Sequence, residues 1–170
     1  AERIPHVKVF FTGENQWKDL VRWPLEGTTD ETFYLSDGGQ LLTHQPAIDA
    51  MPATYTSDPA KPVPYSPVPW QRRKPEYMIA DQRFASFRPD VLTYTTPELD
   101  KSVSVAGPIQ VKLWVKSTTT DADFVVKLID VQPNSSNLAG YQMLVRGDVM
   151  RARFRHDMSN PSPLVPNQAE

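Results

Sequence analysis

The chain has 170 residues, with 18 Lys and Arg against 20 Asp and Glu, 17 prolines, 7 glycines and no cysteine. That length suits one domain with a sizeable core, and a net charge of −2 gives no electrostatic reason to expect nucleic acid or an anionic membrane as partner. The missing cysteines exclude disulfides, thiolate zinc sites and a cysteine nucleophile, and the many prolines argue against an all-helical fold. No apolar run approaches the roughly 20 residues of a membrane span. The start, Ala1 to Val9, has neither the charged head nor the apolar core of a signal peptide.

In chain order, Val7 to Phe11 reads as a short strand and Gly13 to Asn15 as a turn. Gln16 to Val21 is expected to form one helical turn, stopped by Trp23-Pro24. Trp17 and Trp23 are either two core aromatics under a loop or a docking surface against something large. Thr32 to Leu35 and Gln40 to Thr43 flank Ser36-Asp-Gly-Gly39, whose glycines supply the positive φ of a β-hairpin.

Gln45 to Pro75 carries eight of the 17 prolines. Asp58 to Pro64 should be extended and stiff, with few backbone donors for any sheet. This proline-rich loop is either a ligand for an aromatic-lined groove or a stiff loop packed over the sandwich or a neighbouring domain. Tyr55, Tyr65 and Trp70 are interleaved with the prolines and could bury it. Tyr77 to Ala80 is a candidate strand, and Leu92 to Thr95 belongs to a β-rich run. Asp81, Arg83, Arg88 and Asp90 are expected to pair as structural arginine–carboxylate forks.

Val103 to Arg155 reads as the interlocking strands of a β-sandwich. Ile109, Val111, Leu113 and Val115 alternate with wetter neighbours, which puts four aliphatic side chains on one face. Phe124 to Val131 is apolar on both faces and reads as a central, covered strand. Leu113 and Leu128 are expected in the core, where truncation to Ala costs about 2–5 kcal/mol. From Tyr141 to Arg155 the apolar phase changes from odd to even positions, which requires an inserted residue, with Gly147 the expected bulge.

Catalytic signatures are weak. The sequence has no Gly-x-Ser-x-Gly elbow, His-Glu-x-x-His pair, phosphate loop or dinucleotide fingerprint. His6, His44 and His156 are each isolated. Asp121, Asp123 and Asp130 resemble a hard-cation loop but fall short of the six to eight oxygens that calcium takes. Asn134-Ser-Ser136 matches a glycosylation sequon, a common coincidence. No catalytic residue, metal ligand or cofactor site is assigned.

Four stretches together resemble the C-terminal part of the α-amino-acid ester hydrolases and their relatives, the cocaine esterases, glutaryl acylases and X-prolyl dipeptidyl peptidases. They are Thr12 to Trp17 with Trp23-Pro24; Tyr55 to Pro64; Asp81 to Phe84 with Arg88 to Tyr94; and Asp123 to Val131. The resemblance implies an all-β, jelly-roll (galactose-binding-like) sandwich spanning residues 1–170, with 1–30 leading from an α/β-hydrolase domain. It also implies that the catalytic serine, aspartate and histidine precede the position matching Val7. Family members continue past Pro166, so the jelly roll is expected to lack its last strands, and either to self-associate through an unpaired sheet edge or to bury that edge under its own N- or C-terminal segment.

The expected function is that of a non-catalytic module buttressing the hydrolase domain of its own parent chain, which cleaves esters or amides through an acyl-serine. Trp17, Trp23, Tyr55, Tyr65 and Trp70 are the expected interdomain contacts. A bacterial periplasmic or secreted parent is one expectation for location. The alternative is a carbohydrate-binding sandwich, for which Trp70 or Trp114 would supply the platform.

Overall fold

The computed structural model describes residues 4–46, 51–72 and 74–170. Its regular structure is mostly strand, with one four-residue helix and three 3-10 turns among the described residues, so the class is all-β. The chain forms two compact units, Ala1–Ala50 with Tyr94–Lys112 and Met51–Thr93 with Leu113–Glu170.

In the first unit, strand β1 (Val7–Phe11) pairs antiparallel with β2 (Gln16–Leu20), Val7 opposite Leu20 and Phe11 opposite Gln16. Asn15, at φ 54°, closes the turn with its N–H on the Thr12 carbonyl at 3.3 Å. Asn tolerates that left-handed conformation better than most side chains. The helical turn expected over Gln16 to Val21 is therefore a strand. β1 offers a partner for its backbone, and its burial alternates, ending on buried Leu20. Phe10 and Trp17 meet across the hairpin with ring centres 5.3 Å apart.

The second hairpin joins β3 (Tyr34–Ser36) to β4 (Gln40–Leu42), as the sequence indicates. Gly38 and Gly39 take φ 68° and 73° in its turn, a conformation that costs glycine least. Thr95 extends this unit by a parallel bridge to Gln40, its N–H bonding the Gly39 carbonyl at 2.8 Å.

The second unit is built on β5 (Asp123–Val131) and β6 (Gln142–Arg151), a long antiparallel pair. Its register steps from Leu128 opposite Arg146 to Ile129 opposite Leu144, so Val145 is the inserted residue. The bulge exists where the phase change requires one, but two residues before Gly147, which pairs normally with Lys127. Strand β5 is not central: β6 is its only neighbour among the described residues.

The alternating run Ile109 to Val115 is not a strand either. Its first regular pairing comes at Val115, which exchanges two backbone hydrogen bonds with Glu170 at 2.9 and 3.0 Å. Alternation supplies a face, but a strand also needs a neighbour for its N–H and C=O groups, and none flanks 109–114 among the described residues. Leu113 is accordingly 38% exposed, whereas Leu128 is half-buried. Pro75–Met78 forms a 3-10 turn in place of the candidate strand at Tyr77, with proline preset at its first position.

Among the described residues the buried side chains are few: Leu20 in the first unit, and Gln82, Ala85, Ala152 and Leu164 in the second.

Candidate interdomain interface

Three arginines on alternate positions, from the last residue of β6 into the 3-10 turn that follows it, each hold a carboxylate. Arg151 grips Asp123 through both oxygens, Nε to Oδ1 at 2.7 Å and Nη2 to Oδ2 at 3.0 Å. Arg153 binds Asp121, whose Oδ1 also accepts the Arg153 N–H at 3.1 Å. Arg155 pairs with Glu170 and donates to the Ser162 carbonyl at 2.6 Å. Of the three aspartates that resemble a cation loop in sequence, Asp121 and Asp123 are thus committed to arginines, and Asp130 accepts from Gln132 Nε2 at 2.8 Å. Upstream, Arg83 pairs with Asp81, and Arg88 forks onto Asp90 at 2.8 and 2.7 Å. Both pairs match the forks expected from sequence.

These contacts set carboxyl acidity. Hydrogen bonds from Arg83, Arg88 and Arg151 hold Asp81, Asp90 and Asp123 below the usual carboxylate range. At Asp121 burial pushes upward, but the side-chain and backbone bonds from Arg153 outweigh it. Glu170 is lowered first by the Val165 N–H and then by Arg155. A carboxyl depressed on folding stabilises above its unfolded pKa near 4 and loses that contribution as pH falls through the folded value. The unfolding midpoint should therefore be flat above about pH 5 and fall progressively below about pH 4. Asp123→Asn should flatten the fall, and salt should weaken it because the pairs are partly exposed. A midpoint unchanged down to about pH 2 would contradict this assignment.

Sequence reasoning missed the contact between Lys127 and Gln82. Lys127 Nζ donates to Gln82 Oε1 at 2.7 Å and lies 5.4 Å from the centre of the Phe84 ring. Burial pushes the Lys127 amine below its usual range. Gln82 is itself buried, and its N–H bonds the Gln142 carbonyl at 3.0 Å. This pins helix α1 (Arg83–Ser86) to the β5–β6 pair. Both residues lie in stretches that carry the family resemblance, but nothing in the sequence links the two, so only the fold reveals the pair.

The five expected interdomain residues all lie at the surface. Trp17, Trp23, Tyr55, Tyr65 and Trp70 are between 43% and 64% exposed. The two tryptophans are therefore not core aromatics. Tyr65 stacks on Tyr77 with centres 4.8 Å apart, and Lys74 places its ammonium 4.0 Å from the centre of the Trp70 ring. That ammonium covers one face of the ring a sugar platform would need. Trp114, the other platform candidate, is largely exposed. Residues 51–65 are exposed without a break, and Val125 faces Val149 as an uncovered cross-strand pair. His6, His44 and His156 are each exposed.

Many large apolar side chains are exposed among the described residues, and such surface marks places where other protein packs.

Comparison with known proteins agrees. Residues 1–169 match the family model of the X-Pro dipeptidyl-peptidase C-terminal non-catalytic domain. The chain is similar to cocaine esterase of Rhodococcus sp. (strain MB1 Bresler), 35% identical over 167 residues, covering 94% of this chain and 28% of that protein. A putative serine esterase of Mycobacterium bovis is 29% identical over 166 residues, covering 94% of this chain and 24% of its own length.

Among solved structures, an α-amino acid ester hydrolase superposes with a TM-score of 0.90 at 36% identity, over 98% of this chain and 29% of that one. An aminopeptidase from the marine sediment archaeon Thaumarchaeota archaeon gives 0.83 at 35%, over 99% and 29%. The chain thus spans less than a third of each of these relatives. A match over 169 residues, with the same fold inside an ester hydrolase, shows that the chain belongs to the X-Pro dipeptidyl-peptidase C-terminal non-catalytic domain family of the serine hydrolases.

Proposed function

We propose that residues 1–170 act as one jelly-roll module that docks on the α/β-hydrolase domain of its own parent protein and buttresses it. The parent cleaves an ester or amide bond through an acyl-serine, and its catalytic residues lie outside this chain. The observation that carries this reading is the uncovered apolar surface, with all five expected contact aromatics exposed. Relatives more than three times as long supply the protein that would cover it. Burying aromatic side chains against a second domain is the usual way such surface contributes to association. Without that domain, the module self-associates through unpaired strand edges, since β5 and β6 each have one neighbour among the described residues.

Radical footprinting tests the docking. In the full parent, oxidation of Trp17, Trp23, Tyr55, Tyr65 and Trp70 should be severalfold slower than in this chain alone. Equal rates in both would remove the interface. Light scattering on the chain alone should give a mass above the 19.2 kDa of one copy. A concentration-independent monomer would contradict the strand-edge association.

A further inference from the structure

Exposed loops without regular structure are usually mobile, yet the proline-rich segment is tied down at Lys61, in addition to the Tyr65–Tyr77 ring contact near its end. Arg88 Nη2 donates to the Lys61 carbonyl at 2.8 Å while the same guanidinium grips Asp90. Asp58 folds the segment locally, its carbonyl accepting the Lys61 N–H and its Oδ1 the Ala60 N–H, both at 2.9 Å. Arg88 is itself placed by a turn following α1, its N–H on the Ala85 carbonyl at 3.1 Å. The chain of contacts therefore runs from the fold, through one charged fork, to a segment whose residues 51–65 are all exposed.

Anchoring a solvated segment does little for a core. It does prepare a surface. A stiff, proline-bearing segment held in one conformation loses little entropy when it docks. Its exposed Tyr55, Val63 and Tyr65 supply apolar and aromatic contact area, and its prolines lack N–H groups that would otherwise need new partners. The complementary partner is an apolar groove.

We infer that the Arg88–Asp90 fork is a positioning pair that holds the proline-rich segment, through the Lys61 carbonyl, in the shape that docks into an apolar groove of the parent's hydrolase domain. This rests on the docking reading above and assigns that reading a specific segment and its anchor. Lysine at position 88 keeps the charge but cannot hold both carboxylate oxygens and the Lys61 carbonyl in one planar arrangement.

The test uses the full parent, as wild type, Arg88→Lys and Asp90→Asn, with footprinting and hydrogen exchange read together. In the wild type, Tyr55 and Tyr65 should be protected alongside Trp17 and Trp23. Each substitution should raise oxidation of Tyr55 and Tyr65, and amide exchange over residues 54–65, by roughly tenfold, the factor lost with one charge-assisted hydrogen bond. Protection of Trp17 and Trp23 and exchange in β5 and β6 should stay as in the wild type. If Tyr55 and Tyr65 stay protected in both variants, or were never protected while Trp17 and Trp23 are, the positioning role is wrong and the docking reading stands. If exchange rises equally in β5 and β6, the fork is an ordinary fold contact and the inference fails. If no aromatic is protected in the wild type, the docking reading itself falls.

Discussion

Leu164→Ala should lower the unfolding free energy by about 2–5 kcal/mol, the range for truncating a buried leucine. Leu164 is 3% exposed, and its N–H is fixed on the Thr120 carbonyl at 2.8 Å, so the site has little freedom to collapse around a lost side chain. The control is Leu113→Ala. At 38% exposure that side chain has less to lose, and the cost should be under about 1 kcal/mol. Chemical denaturation of the two variants decides the matter. Equal losses would mean that Leu113 is covered in solution as the alternating pattern suggests.

The second large effect belongs to the parent protein. Trp17→Ala or Tyr65→Ala should weaken the union of module and hydrolase domain by about 2 kcal/mol, the scale of an aromatic hot spot. The measurement is association between separately expressed hydrolase domain and module. Within this chain Trp17 and Tyr65 each lose one ring contact, so the same substitutions should change its stability by no more than about 0.5–1.5 kcal/mol, less than the effect on association. A loss of stability here with unchanged association would return these aromatics to an ordinary packing role.

The β3–β4 hairpin and the long β5 strand were legible in the sequence because turn chemistry and apolar phase agree there. Ser36-Asp-Gly-Gly39 supplies the required φ, and the phase change after Tyr141 demands an inserted residue. Its exact place, Val145, was not legible, because a bulge depends on which cross-strand pairs form and not on where a glycine stands. The segments 16–20 and 109–115 failed in opposite directions for one reason. A strand exists only beside a partner, and neither propensity nor alternation says whether one is there. Gln16–Leu20 finds β1, while 109–114 has no flanking strand among the described residues.

At the interface, the aromatic residue types were readable, but core or surface was decided only by packing. The forks at Asp81–Arg83 and Arg88–Asp90 were readable because the charges lie two residues apart. The ladder from Arg151 to Arg155 was not, since its carboxylates lie 15 to 32 residues away in sequence.

As a member of a non-catalytic domain family, this chain is proposed to leave catalysis to a hydrolase domain beside it. Labelling the full parent with a serine-directed phosphonate, followed by peptide mapping, tests it most directly. One serine outside residues 1–170 should carry the label, and this chain alone should show no labelling or ester hydrolysis above a buffer blank. A stoichiometric label on a serine within residues 1–170, with loss of turnover, would contradict it.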